Sequence, residues 1–370
     1  MFLEEHRRLL ADPVRLDAFH KAIGETVRQG DVVADLGSGT GILGIFACRA
    51  GASKVYSIEQ GPVIDQAREI ARANHFEDRI VFVQGLSTQV SLPEKVDLIL
   101  GDLTGQFGWE AGLLDFFPDA RTRWLRDSGS LIPFQMDLFV SAIESSNIWN
   151  DRIQFWSAIL RDVDLSPLRK LALDTAYPCS LKKEELIGQP ILAASYNLFD
   201  PIPAKLEFSA EMRMDRDATI SGIAGWFSTR LTQNIQITNS PLSDHPVKRP
   251  QCFLPLRTPL QVSSNDRIEA RFLIRQLEGL IQWEVSHKGQ QLAQNISAAD
   301  RSLDEVFLLS PMGQALMTVL QLVENGHTFV KIRLEIENRF ADLFPSSRAA
   351  EDFVLYVTRR YGKRSDTKLS

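Results

Sequence analysis

Three glycines spaced two apart, Gly37, Gly39 and Gly41, lie between an apolar run, Val32 to Leu36, and a second run of apolar and small residues, Ile42 to Ala50. This pattern reads as a buried strand, a tight turn and a helix. Glycines let a backbone turn sharply and approach a ligand closely. The helix that follows offers unpaired N–H groups and the positive end of its dipole. The motif is G-x-G-x-G and lacks the later glycine of a dinucleotide fingerprint, so the turn suits a ligand without a pyrophosphate. The next apolar stretch, Lys54 to Glu59, ends on an acid about 20 residues past the turn, where a carboxylate can hold ribose hydroxyls. A nucleoside carrying a charged, phosphate-free group fits both signals, and S-adenosylmethionine is such a molecule. The competing explanation is a purely structural strand–helix turn in another α/β domain. A second candidate cluster is the loop 101–112, which carries Asp102 and Glu110 among glycines and two aromatic residues.

Residues that could do chemistry need elements to hold them. Strands are expected at 31–36, 54–59, 79–84 and 96–101, with helices at 42–50 and 62–74. This alternation predicts a parallel sheet with right-handed crossovers, whose ligands bind at the carboxyl ends of the strands. Those ends are Gly37–Gly41, Glu59, Gly85–Thr88 and Asp102. One or two helices are expected over 3–28, with Asp12-Pro13 as a break or a fresh start. Residues 113–126 read as a helix, followed by a turn at Asp127–Ser130. From about 134 short alternating runs predict an all-β module, a sandwich or a barrel. A stretch with helical spacing, about 151–190, interrupts it and suggests a packing or dimer element. Residues 303–370 carry three amphipathic helical patterns, which start at Ser310-Pro311, Thr328 and Ser346-Ser347. The expected domains are therefore 1–132, 133–300 and 301–370.

Composition narrows the function. With 370 residues, 44% hydrophobic and 24% charged, the chain has ordinary globular content. A net charge of −6 with scattered basic residues gives no reason to expect a nucleic-acid partner. Arg359, Arg360, Lys363 and Arg364 read as a solvated basic end. No uncharged run reaches membrane length and the first residues lack a signal-peptide pattern, so no membrane partner is expected. Cys48, Cys179 and Cys252 are far apart, and neither they nor the six histidines show metal spacing. The expectation is a reducing, cytoplasmic setting and no bound metal.

Taken together, these segments resemble the protein arginine methyltransferases over roughly residues 3–298. Glu4-Glu5-His6 through Arg15 resembles the helix in which His6 and Arg15 would reach the cofactor's methionine end, with Arg15 pairing its carboxylate. Asp35-Leu-Gly37-Ser38-Gly39-Thr40-Gly41 through Phe46 matches the family's cofactor motif, and Ser57-Ile58-Glu59-Gln60 its ribose-binding acid. Gly85, Ser87 and Thr88 would line the adenine side. Gly222–Phe227 and Asn239-Ser240-Pro241 resemble barrel landmarks, Asp244-His245 a disturbed copy of the Thr-His-Trp loop, and Trp156 through Arg169 the dimerisation arm. The resemblance implies a Rossmann-like class I methyltransferase domain, α/β, then an all-β barrel with a helical arm about 151–190. Residues 301–370 are similar to PqqD-like modules, which implies a peptide partner for that small helical or winged-helix unit.

It also implies S-adenosylmethionine as cofactor, a homodimer, and a guanidino acceptor on a peptide, protein or small natural-product precursor. A guanidinium stays protonated at neutral pH, with a pKa above about 12. Two carboxylates, here Asp102 and Glu110, would fix one nitrogen in line and balance the charge, and His245, oriented by Asp12, would accept the proton. The bland alternatives are a cofactor-side strand-end acid for Asp102 and a helix N-terminal charge for Glu110. The loop departs from the family: its first acid is a methylene shorter and its spacing to Glu110 one residue less. Two other readings therefore stay open, a methyltransferase for a non-guanidino oxygen, nitrogen or carbon, and a cofactor-binding scaffold without turnover.

Overall fold

The computed structural model describes residues 3–294 and 308–362, and the chain divides into two compact units, 1–300 and 301–370. The first unit opens with helices α1 (Leu3–Leu10) and α2 (Pro13–Thr26). Asp12 caps α2 and Pro13 occupies its first turn, so the expected fresh helix start is where the chain breaks. Five parallel strands follow: β1 (Val32–Leu36), β2 (Lys54–Glu59), β3 (Ile80–Gln84), β4 (Val96–Leu100) and β5 (Leu125–Ile132). Helices α3 (Ile42–Ala50) and α4 (Ile64–Ala73) connect the first three strands, and α5 (Leu113–Trp124) leads from β4 to β5.

The strand order is β3-β2-β1-β4-β5. The winding reverses between β1 and β4, and the crevice at such a switch point is where open α/β sheets bind ligands. The glycine turn follows β1 and the two-acid loop follows β4, so topology alone brings them together. β1 is buried at every position, as expected of a strand covered on both faces. Strand β5 falls where the sequence predicts a helix end and a turn. It lies at the sheet edge, and its polar middle, Arg126–Asp127–Ser128, is exposed, so no hydrophobic alternation marks it.

Antiparallel strands make up the rest of this unit. β6 (Gln135–Ile143) leads into an arm that holds helix α6 (Ser146–Arg152), the two-residue strands β7 (Ile159–Leu160) and β8 (Val163–Asp164), helix α7 (Arg169–Leu173) and β9 (Tyr177–Cys179). After β10 (Leu186–Asn197) come β11 (Lys205–Arg213), β12 (Ala218–Arg230), β13 (Gln236–Thr238), β14 (Gln251–Val262), β15 (Arg267–Arg275), β16 (Leu280–His287) and β17 (Gln290–Gln294). One sheet runs β10-β6-β12-β14-β9, with β13 on β12; the other runs β11-β15-β16-β17. They meet where β10 lies against β11 and β14 against β17, which closes the barrel around a shared core. The expected helical insert is only partly helical, and its last residues, 186–190, begin β10. Register shifts at Ile187/Ile191 and Leu192/Ala194 break the two-residue period there.

One apolar core continues from Phe19 on α2 through the parallel sheet into the barrel, as far as Ala293 on β17. The arm instead leaves Phe155, Ile159, Leu160, Val163, Leu168 and Leu171 exposed. The second unit packs α8 (Pro311–Glu324), α9 (Phe329–Arg339) and α10 (Ser347–Tyr361) around Val319, Ile336 and Val354. Ser310, Thr328 and Ser346 each cap a helix, accepting from Gly313, Lys331 and Ala349. Lys363 and Arg364 of the expected basic end, and 303–307 at the start of that unit, lie outside the described residues. Among the described residues no helix is long and apolar enough to cross a membrane.

Candidate active site

The turn after β1 is left-handed at Gly37, φ +61°, and at Gly39, φ +54°. A side chain at either would also collide. A Cβ on Gly37 would stand 2.6 Å from Leu103 Cδ2, and one on Gly39 3.1 Å from the His6 ring. Beneath the turn, Ser57 Oγ donates to Ser38 Oγ at 2.7 Å. Asp35 is fully buried and accepts from Gly44 N at 3.0 Å, tying β1 to the first turn of α3. Burial pushes its carboxyl up to about 7, and Oδ1 has no partner. Thr40 is buried and Gly41 caps α3.

Glu59, at the end of β2, accepts from Gly39 N at 3.0 Å and Gly61 N at 2.6 Å. This fixes both oxygens at the rim of the turn. Gly85 N donates to the Glu59 carbonyl at 3.1 Å, which brings the end of β3 alongside. Ser87 is buried in a short 3-10 turn, whereas Thr88 and Gln60 are exposed. His6 sits over Gly39, buried, with Nε2 unpartnered; burial lowers its pKa below the usual imidazole value.

The two acids behave differently. The Asp102 side chain is 3% exposed; its Oδ2 takes Arg15 Nε and Arg249 NH2, the latter at 2.6 Å. Its Oδ1 accepts from Thr104 Oγ1 at 2.9 Å. Burial alone would raise this carboxyl, but the guanidinium groups of Arg249 and Arg15 outweigh it and hold it well below the usual range. Arg15 also donates to the Leu9 carbonyl at 3.3 Å. Glu110 folds back on its own loop, accepting from Phe107 N at 2.9 and 3.1 Å. Protein atoms crowd round its carboxylate and raise its pKa, yet the residue keeps open surface, as a group lining a crevice does.

The loop is anchored in the barrel. Phe107 is fully buried against Gly225 and meets Phe208 and Phe272 edge-on. Asn239 is the polar hub: Oδ1 accepts from Phe227 N at 2.9 Å, and Nδ2 donates to Gln106 O at 2.7 Å and Pro250 O at 2.8 Å.

The structure thus gathers His6, Arg15, Glu59, Asp102 and Glu110 around one crevice, but it corrects two expectations. Asp102 does not present a free carboxylate to a guanidinium, because two arginines of the chain already hold it. Asp12 does not orient His245: its Oδ2 takes Lys248 N at 2.6 Å, and His245 is exposed. In the same stretch Lys248 N takes Asp12 and the Arg249 side chain reaches Asp102 and the Thr104 carbonyl, while His245 stays exposed. Sequence reading passed over Arg249 and Leu103. The one available signal was the Lys248-Arg249 pair beside a residue already under suspicion.

Residues 135–286 match the family described as the arginine methyltransferase oligomerization subdomain, and residues 19–105 match that of ribosomal protein L11 methyltransferase. Protein arginine N-methyltransferase PRMT10 of Oryza sativa subsp. japonica is 28% identical over 308 residues, spanning 73% of this chain and 80% of that protein. The chain is similar to the protein arginine methyltransferases. Protein arginine N-methyltransferase 1 of Chlamydomonas reinhardtii is 29% identical over 244 residues, 64% of this chain and 70% of that one. The fold of this methyltransferase relative is shared with solved structures. Trypanosoma brucei PRMT1, an enzyme–prozyme heterotetramer with AdoHcy, superposes with a TM-score of 0.69 at 24% identity, covering 78% of this chain and 95% of that one. Arabidopsis thaliana PRMT10 superposes at 0.67 and 24% identity, covering 80% and 96%.

Proposed function

We propose that this chain is an S-adenosylmethionine-dependent N-methyltransferase acting on the guanidino group of arginine in a protein or peptide. The observation that carries this reading is the β1/β4 switch point, where Glu59 is pinned beside the glycine turn after β1 and the loop after β4 carries Glu110. The residues fit the cofactor. Glu59 keeps lone pairs for ribose hydroxyls, the left-handed glycines let the turn pass close under Leu103 and His6, and the buried His6 Nε2 is unpartnered there. Arg15 is the candidate for the methionine carboxylate. When bound, S-adenosylmethionine supplies an electrophilic methyl group on a sulfonium.

The protein's own part is positioning and charge. Glu110 is the open acid: it would hold the acceptor's N–H groups, keep one nitrogen aligned and balance the guanidinium charge. Leu103, over Gly37, gives the loop an apolar face toward the turn, which strengthens that ion pair. His245 is exposed and Asp12 is taken by Lys248 N, so the departing proton is left to Glu110 or solvent. Incubation with labelled cofactor and an arginine-containing peptide tests the reading. Glu110→Gln should reduce label transfer by roughly a hundredfold while cofactor affinity stays within a few-fold; undiminished transfer would remove Glu110 from the role.

The finer partners belong to the same proposal. A homodimer through the arm is supported by its exposed apolar residues and by the match to an oligomerization subdomain. A peptide partner for the 301–370 unit rests on its PqqD-like helix pattern. A cytoplasmic setting is supported by three free, buried cysteines.

A further inference from the structure

Arg249 sits where nothing in the cofactor site requires a cation. Its flanks are fixed on both sides. Lys248 N donates to Asp12 and Lys248 Nζ to the Ala11 carbonyl at 3.1 Å, while the Pro250 carbonyl takes Asn239 Nδ2. Arg249 N closes a tight turn on the Val247 carbonyl at 2.7 Å. The side chain, 11% exposed, then reaches back into the two-acid loop, donating NH2 to Asp102 Oδ2 and NH1 to the Thr104 carbonyl at 3.0 Å. A guanidinium with one edge on an acid and another on a loop carbonyl is what an arginine acceptor would present to this loop.

Asp102 is already compensated, since Arg15 and Arg249 both hold its Oδ2 and its side chain is 3% exposed. A cationic acceptor that reached this carboxylate without displacing Arg249 would crowd a further guanidinium onto one buried acid, which is costly. We propose that Arg249 is the specificity-determining residue of the acceptor site: it takes the acceptor guanidinium's partner on Asp102, and an arginine acceptor binds only by displacing it. This rests on the guanidino-acceptor reading above. It makes wild-type protein nearly indifferent to the acceptor's positive charge and places the control of that preference in the barrel loop.

The test is calorimetric binding of an arginine-containing peptide, and of the same peptide with neutral citrulline in that place, to full-length protein saturated with S-adenosylhomocysteine. Wild type should favour the arginine peptide by less than about threefold, Arg249→Lys should behave like wild type, and Arg249→Gln should bind the arginine peptide about tenfold or more tightly with the citrulline peptide little changed. An unchanged affinity in Arg249→Gln, or equal gains for both peptides, overturns the proposal. Should that variant fail to fold, the wild-type comparison decides alone, since a preference for arginine above about tenfold overturns it as well. Tightened binding without methylguanidine formation in any variant would uphold Arg249's role and refute the acceptor assignment instead.

Discussion

Asp35 shows how one buried side chain makes stability depend on pH. Its carboxyl is pushed up to about 7 by burial and keeps one unpartnered oxygen. Because the folded state holds the proton more tightly than the unfolded chain, wild type loses stability as pH rises from about 4 towards 7. Asp35→Asn keeps an acceptor for Gly44 N and cannot ionise. It should match wild type near pH 3, below the unfolded carboxyl's pKa, and exceed it near pH 8 by about 2–4 kcal/mol in urea unfolding. Equal stability at pH 8 would show that the carboxyl ionises at little cost. Local chemistry made part of the site legible: the glycine turn, Glu59 and the cap at Asp12 depend on neighbours close in sequence. The partners of Asp102 were not legible, because they arrive from 87 and 147 residues away. The exposure of His245 was equally hidden, since it follows from the path of a loop and not from the residue's type.

Elements carry the coupling between the two loops proposed to form the acceptor wall. Asn239, just past β13, binds the acid loop through Gln106, the Arg249 loop through Pro250 and β12 through Phe227. Asn239→Ala removes three hydrogen bonds and leaves buried backbone groups without partners. A loss of about 2–4 kcal/mol in denaturant unfolding is expected, with the KM for the acceptor rising more than that for the cofactor. Equal effects on both would mean that Asn239 supports the fold without positioning the wall. At this scale β1 to β4, α3, α4 and the three C-terminal helices follow their sequence patterns, because burial or capping dictates each. β5 and the start of β10 escape for separate reasons, an edge strand with a polar middle and bulges that break the two-residue period.

The whole molecule adds an uncovered apolar surface and an order of construction. Ile159, Leu160, Val163 and Leu171 expose an apolar tip that its own core does not cover. Ile159→Asp with Leu171→Asp should shift sedimentation of the protein to the monomer and leave the unfolding midpoint of each chain nearly unchanged. A wild-type dimer that persisted in the variant would refute the arm as its interface. Within a single chain, Arg15, Asp102 and Arg249 meet on one carboxylate although they come from the first helices, the end of β4 and the barrel. During synthesis the glycine turn and Glu59 therefore leave the ribosome long before the acceptor wall can close. A nascent chain has the makings of its cofactor cradle early, but acquires its gatekeeper only when residue 249 has emerged.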